Sequence, residues 1–233
     1  MKQILFIFTL VFLFTVPLQG QYVLDSDELE GKFGLSLGTA LPQGQFSAES
    51  GENLGGANPG LFFGIEYVLP FENNKNLYWQ TELRLLINPT NLPNGFPGID
   101  LTGRESNWYH VIPTVGIRYS PIQTQSFELF ASLQVGGAYI ISPEIDTDLL
   151  IEGAVFTTAY QRSAYGITYA VSPSAGMKLF KNFELNAEYI YGGVVNYSTQ
   201  TLGVRGSNIQ REFDYKVPME FLNIWANYHF YFN

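Results

Sequence analysis

The chain has no cysteine among its 233 residues. Disulfide staples, thiolate metal sites and the lipid anchor that exported lipoproteins carry on a cysteine are therefore excluded. Charge is scarce as well. Asp, Glu, Lys and Arg make up 14% of the chain, where an ordinary soluble domain has about 25%; aromatic rings, at 16%, are more abundant than charges. Basic residues are the fewest: 12 Lys and Arg against 21 Asp and Glu leave a formal net charge of −9. That is the wrong sign for neutralising phosphates, so no nucleic-acid partner is expected. No long apolar run follows Val16, and mean hydropathy is only +0.03. A chain that crosses a membrane without apolar helices must satisfy its backbone by closing a sheet.

What is present begins with Met1-Lys2-Gln3, the apolar run Ile4 to Val16 and then Pro17-Leu18-Gln19-Gly20-Gln21. A positive start, a short apolar core and a small residue before the cut form a secretory signal peptide, too short to span a bilayer and without a stop-transfer cluster. Cleavage is expected after Gly20. The expected organisation is a signal peptide at 1–20, a short periplasmic segment at 21–31 and one domain at 32–233.

From Lys32 onward the pattern is strict alternation. Phe33, Leu35, Leu37 and Leu41 share one face, and Gly34, Ser36, Gly38 and Ala40 share the other. Period two means strand, and a large apolar face backed by small or polar residues suits a wall between lipid and a crowded interior. The signature recurs over 60–69, 77–87, 108–120, 127–140, 164–179, 183–191 and 221–232. The expectation is an all-β fold, an eight-stranded antiparallel up-and-down transmembrane β-barrel following the cleaved signal peptide. Connections alternate between short ones (70–76, 121–126, 181–182) and long ones rich in Gly, Asn, Pro, Ser and Thr (42–59, 88–107, 142–163, 192–218). Outer-membrane barrels are threaded in this way, with turns in the periplasm and loops outside, which also puts both termini in the periplasm.

Aromatic positions on the outward face fall into two belts, as amphipathic rings do at the two membrane interfaces. Tyr67, Trp79, Tyr119, Phe127, Phe183 and Phe230 lie near the short turns, and Tyr109, Tyr139, Tyr165 and Tyr191 near the long loops.

The inward face carries Glu66, Glu82, Glu128, Glu184 and Glu188 with Arg84, Arg118 and Lys178. An eight-stranded barrel is just wide enough to be filled by its own side chains, so these charges are expected to pair across the lumen and close it. Glu82 and Arg84 share one face, with Glu188 at similar depth. The two histidines, His110 and His229, lie at opposite ends of the barrel and cannot share a site, and neither shows a Ser and an acid at a recognisable spacing. No catalytic residue, cofactor or metal is expected. Glu144, Asp146 and Asp148 form a solvated acidic loop without the glycine-centred spacing of a calcium loop.

The run Tyr109-His110-Val111-Ile112-Pro113, followed by Gly116-Ile117-Arg118-Tyr119 and by 131–137, resembles the small outer-membrane barrels of the OmpA and OmpX type, particularly the PorT-like barrels of Bacteroidetes. The ending Tyr228-His229-Phe230-Tyr231-Phe232-Asn233 resembles the insertion signal of such chains, with Tyr228, Phe230 and Phe232 as its alternating rings. The resemblance implies an integral outer-membrane protein that meets outer-membrane lipids, the barrel-assembly machinery and an envelope protein partner. The expected role is non-enzymatic, structural or interactive, through the long loops or within an envelope complex. The alternatives are a narrow gated channel and a lipid-modifying enzyme.

Overall fold

The computed structural model describes residues 31–48, 56–72, 74–90, 99–124, 127–151, 154–161, 163–180, 182–204 and 210–231. The expected signal peptide, nearly all of the segment 21–31, and Phe232 lie outside the described residues. The strands are β1 (Lys32–Pro42), β2 (Gly60–Phe71), β3 (Asn74–Asn88), β4 (Ile99–Glu105), β5 (Trp108–Gln123), β6 (Phe127–Ile141), β7 (Ile145–Ile151), β8 (Ala154–Gln161), β9 (Tyr165–Leu179), β10 (Phe183–Val204) and β11 (Gln210–Tyr231). One helical turn, α1 (Gly44–Ser47), follows β1.

Eight of these strands build a closed barrel. In the order β1-β2-β3-β5-β6-β9-β10-β11, each pairs antiparallel with the next. β11 then pairs with β1 along its full length, from Lys32 opposite Tyr231 to Pro42 opposite Phe221, which leaves the barrel wall no open edge. The alternation holds in every stave. Leu35, Leu37, Ile65, Leu133, Ile167 and Ile224 are exposed on the outside, while Ser36, Glu66, Ser132, Gly166 and Asn223 are buried inside. Such a molecule has an oily outer wall and a filled interior, the inverse of a soluble domain, and its exposed apolar surface is stable only against lipid.

The strength of that lipid contact can be measured at Leu133. It lies mid-strand in β6, beside Ile117 of β5 and Pro173 of β9, and is 56% exposed. An arginine there would meet hydrocarbon near the bilayer midplane at a cost of about 2–4 kcal/mol. Leu133→Arg should lower the urea-unfolding free energy in lipid vesicles by that amount. A loss under about 1 kcal/mol would mean that this face does not meet lipid acyl chains.

The long connections depart from expectation. Instead of irregular loops they contain β4, β7 and β8, and β10 and β11 continue well past Tyr191 and before Phe221. The upper part of β10 pairs with β11 as far as Gly203 opposite Gln210 and with β8 at Leu202–Val204. β8 pairs with β7, and β7 with β4. The result is an upper extension of the same continuous sheet, in the order β11-β10-β8-β7-β4, at the barrel's long-loop end. The physical reason is composition: 154–161 and 194–204 are rich in Val, Thr, Phe and Tyr, which suit pleated backbone, but their alternation is broken by Gly, Ser and Gln. Two of the three short connections are shorter than expected, since β2 and β3 run to 71 and from 74, and β5 continues to Gln123.

β10 leaves the barrel wall at Gly192–Gly193. Its last pairing with β9 is Gly192 opposite Ala170, and its ladder with β11 is interrupted between Tyr191 and Val194. A Cβ on Gly192 would stand 2.4 Å from the Met219 side chain, and one on Gly193 2.5 Å from Tyr169. Only glycine lets the strand pass so close to both neighbours while it redirects into the upper sheet.

Candidate functional site

The lumen has two storeys. Towards the long loops it is apolar, which sequence alternation did not anticipate: Phe62, Leu86, Trp108, Ile112, Ile140, Ile190, Met219 and Phe221 are all buried there. α1 supplies the cap. Its Phe46 drops into the barrel mouth and packs edge-on against Trp108 (5.1 Å between ring centroids), Phe221 (5.1 Å) and His110 (5.3 Å). The turn is held by backbone bonds, with the Gln43 amide donating to the Glu220 carbonyl at 2.9 Å and the Ala57 amide to the Phe46 carbonyl at 3.1 Å. Gly44, at φ +56°, supplies the left-handed backbone that starts it. Below this cap, Phe62 stacks on Trp225 at 4.9 Å.

The storey towards the short turns is charged, and all eight of the expected lumen residues are buried in it. They form two groups. In the first, Arg84 lies 2.7 Å from Glu82 and 2.6 Å from Glu188, and its guanidinium also donates to Gln134 (3.0 Å) and Ser172 (3.3 Å). This joins β3, β10, β6 and β9 across the lumen. The structure thus brings Glu82, Arg84 and Glu188 together.

In the second group, Arg118 grips both oxygens of Glu184 (2.8 and 3.0 Å) and one of Glu128 (2.8 Å), while its guanidinium carbon stands 3.4 Å from the centroid of the Phe130 ring. Glu128 also receives Ser120 at 2.6 Å, Lys178 at 3.1 Å and Lys32 at 3.5 Å. Lys32 is a member that sequence reasoning missed, although it stands on the same alternating face as Gly34 and Ser36.

His229 is the larger omission. It faces inward, and its Nε2 lies 3.1 Å from Glu66 and 3.1 Å from Glu184. Two acids thus come together at one histidine, which no local spacing revealed, because they arrive from β2 and β10 on either side of the barrel closure. Glu66 is further held by the side-chain amides of Gln80 (2.9 Å) and Asn227. These three residues are the ones among those described that could hold a metal ion. His110, enclosed by Phe46, Trp108 and Phe221 in the other storey, is separate from them.

On the outer wall, Trp79, Tyr109, Tyr119, Tyr165, Phe183, Tyr191 and Phe230 are exposed, and Tyr67, Phe127 and Tyr139 half-buried. Cross-strand register puts Tyr67 beside Phe33 and Trp79 beside Leu69, near the short turns, and Tyr109 and Tyr165 both opposite Ile141, near the long loops. Tyr228 of the terminal strand also faces outward. The acidic stretch after β6 is no ion-wrapping loop: 145–151 is extended and paired on both sides.

Neither a protein-family model nor a curated protein matches the chain by sequence. Solved structures do match by fold. The chain is similar to a major outer membrane protein from Thermus thermophilus, with a TM-score of 0.50 at 13% identity over 86% of this chain and 99% of that one. The fold is that of a small outer-membrane β-barrel. Two others found are the outer membrane protein OprG from Pseudomonas aeruginosa (TM-score 0.44, 15% identity, 86% and 96% covered) and Ail, the attachment invasion locus protein of Yersinia pestis (TM-score 0.41, 16% identity, 86% and 99% covered). This barrel fills its interior with its own residues.

Proposed function

We propose that this is a non-enzymatic outer-membrane protein, with termini in the periplasm and long loops outside, which acts by presenting the sheet β11-β10-β8-β7-β4 to a partner in or beyond the envelope. The observation that carries the reading is the contrast between the two ends of the molecule. The lumen is filled by rings above and ion pairs below, which supports a closed barrel over a conduit. The long-loop end, by contrast, extends two of the staves and adds three further strands that contribute nothing to barrel closure. Ordered backbone raised above the membrane is the kind of surface on which interaction proteins are built. The resemblance of 109–119 and of the terminal strand to PorT-like barrels favours a place in a Bacteroidetes envelope complex. Its exposed rings suit the two lipid interfaces, and Tyr228 and Phe230 suit recognition by the barrel-assembly machinery.

Two measurements test this. In planar bilayers the purified protein should show no single-channel current. Cross-linking in native membranes should capture a partner with the intact protein and lose it when residues 145–161, the β7–β8 hairpin, are replaced by a short Gly/Ser linker. The variant should keep the faster migration of an unboiled barrel on SDS gels. A stable conductance, or a partner retained by the folded hairpin-less variant, would overturn the proposal.

A further inference from the structure

We infer that the lower lumen contains a binding site for one divalent transition-metal ion, with His229 Nε2, Glu66 Oε1 and Glu184 Oε2 as ligands. Three independent features lead there.

The first is a shortage of positive charge. The buried lumen groups include five carboxylates, Glu66, Glu82, Glu128, Glu184 and Glu188, against four permanent cations, Lys32, Arg84, Arg118 and Lys178. The shortage is local. Glu82 and Glu188 share Arg84, Glu184 has Arg118, and Glu128 has Arg118, Lys32 and Lys178. Among the described residues Glu66 has no ion pair with a lysine or arginine; its neighbours are two neutral amides and His229. A buried carboxylate without a cation is costly to keep ionised, so a bound cation would relieve a cost that otherwise only a proton can.

The second is geometry. The imidazole nitrogen stands 3.1 Å from one oxygen of each acid, and the three donor atoms lie within 4.8 Å of one another. Both oxygens face the same nitrogen, which carries at most one hydrogen and so cannot serve the two acids equally. An ion about 2.1 Å from each donor accounts for such spacing, since neighbouring ligands of a six-coordinate ion then stand about 3 Å apart.

The third is the surrounding shell. Gln80 and Asn227 donate to the two oxygens of Glu66, and Arg118 to both oxygens of Glu184, so both carboxylates are held in place with a lone pair left to turn towards His229. One imidazole with two carboxylates, and no thiol in the chain, suits Mn²⁺, Fe²⁺ or Zn²⁺ over soft ions such as Cu(I). Entry from the short-turn end passes Lys32 and Lys178, whose side chains keep 9% and 8% exposure at the rim.

The test uses the full mature barrel, folded in detergent, stripped with chelator and titrated with Mn²⁺. About one equivalent should bind, the melting midpoint should rise by several degrees, and pulsed EPR should show coupling of the bound Mn²⁺ to an imidazole nitrogen. His229→Gln and Glu66→Gln, checked for heat-modifiable migration, should each lose binding at least tenfold. The EPR reading needs no variant and stands if either substitution prevents folding. Failure to bind, binding without nitrogen coupling, or undiminished binding by folded His229→Gln would overturn the inference. The first outcome would leave the three side chains to hydrogen bonding alone, and the others would place the ion on surface carboxylates.

Discussion

Replacing Arg84 with alanine should destabilise the barrel by about 3–5 kcal/mol, the cost of leaving a buried charge without its partner. The effect should be large because a single guanidinium neutralises two carboxylates. Glu82 at 2.7 Å and Glu188 at 2.6 Å have no side-chain exposure to water. Without Arg84, two like charges would face each other in a desolvated space. Double replacement of Arg84 and Glu82 by methionine should recover only part of the loss, because Glu188 then keeps one amide partner, Asn223 at 3.2 Å, and no cation. Adding Glu188→Gln should recover most of it, since a lumen with no charges at this level has no desolvation problem to solve. Urea unfolding in lipid vesicles, followed by the migration shift of unboiled samples, reads all three variants. Full recovery in the double variant would show that Glu188 does not depend on Arg84. The cap formed by Phe46 is untouched by these changes, so none should open a conducting path.

An effect of similar size, about 3–5 kcal/mol, is expected for Arg118→Ala, for a different geometric reason. Arg118 spans β5, β6 and β10 by gripping Glu184 with two nitrogens and Glu128 with one, and its guanidinium carbon stands over the Phe130 ring. A planar fork fits that arrangement and an ammonium does not. Arg118→Lys should therefore keep the charge yet recover less than half of the stability lost in Arg118→Ala. Arg118→Lys keeps a cation on a long stem but loses the planar fork, so its unfolding free energy against the wild type measures what the fork adds beyond charge. If lysine restored the wild-type value, the grip on Glu184 and the ring contact would be without energetic consequence. Glu128 should be the less sensitive partner, since Lys178 and Lys32 still face it.

Much of this molecule could be read along the chain, and the parts that could not share one cause. Alternation along a strand is a local property. Leu35 against Ser36, or Glu82 and Arg84 against Leu83, declares which side chains face lipid and which face inward without any knowledge of neighbouring strands. Counting residues from the turns gives depth, which is how Glu188 could be matched to Arg84 from a distant strand. The apolar upper lumen was hidden because there both faces are apolar: Leu86 and Ile112 point inward between outward neighbours such as Leu85, Val111 and Pro113, so no contrast marks the change. The upper sheet was hidden for the opposite reason, since its alternation is diluted by Gly, Ser and Gln.

The sequence by itself determined that the chain forms strands, how many make the wall, which face meets lipid, and that the interior must hold opposed charges. Only the tertiary structure decided which charges meet. His229, Glu66 and Glu184 converge because β11 closes on β1 in one register and β2 and β10 flank that seam. A shift of one residue would turn every inward group outward. Register is fixed by the whole ring of strand pairs together with the side chains that fill it, a condition met only when the barrel closes.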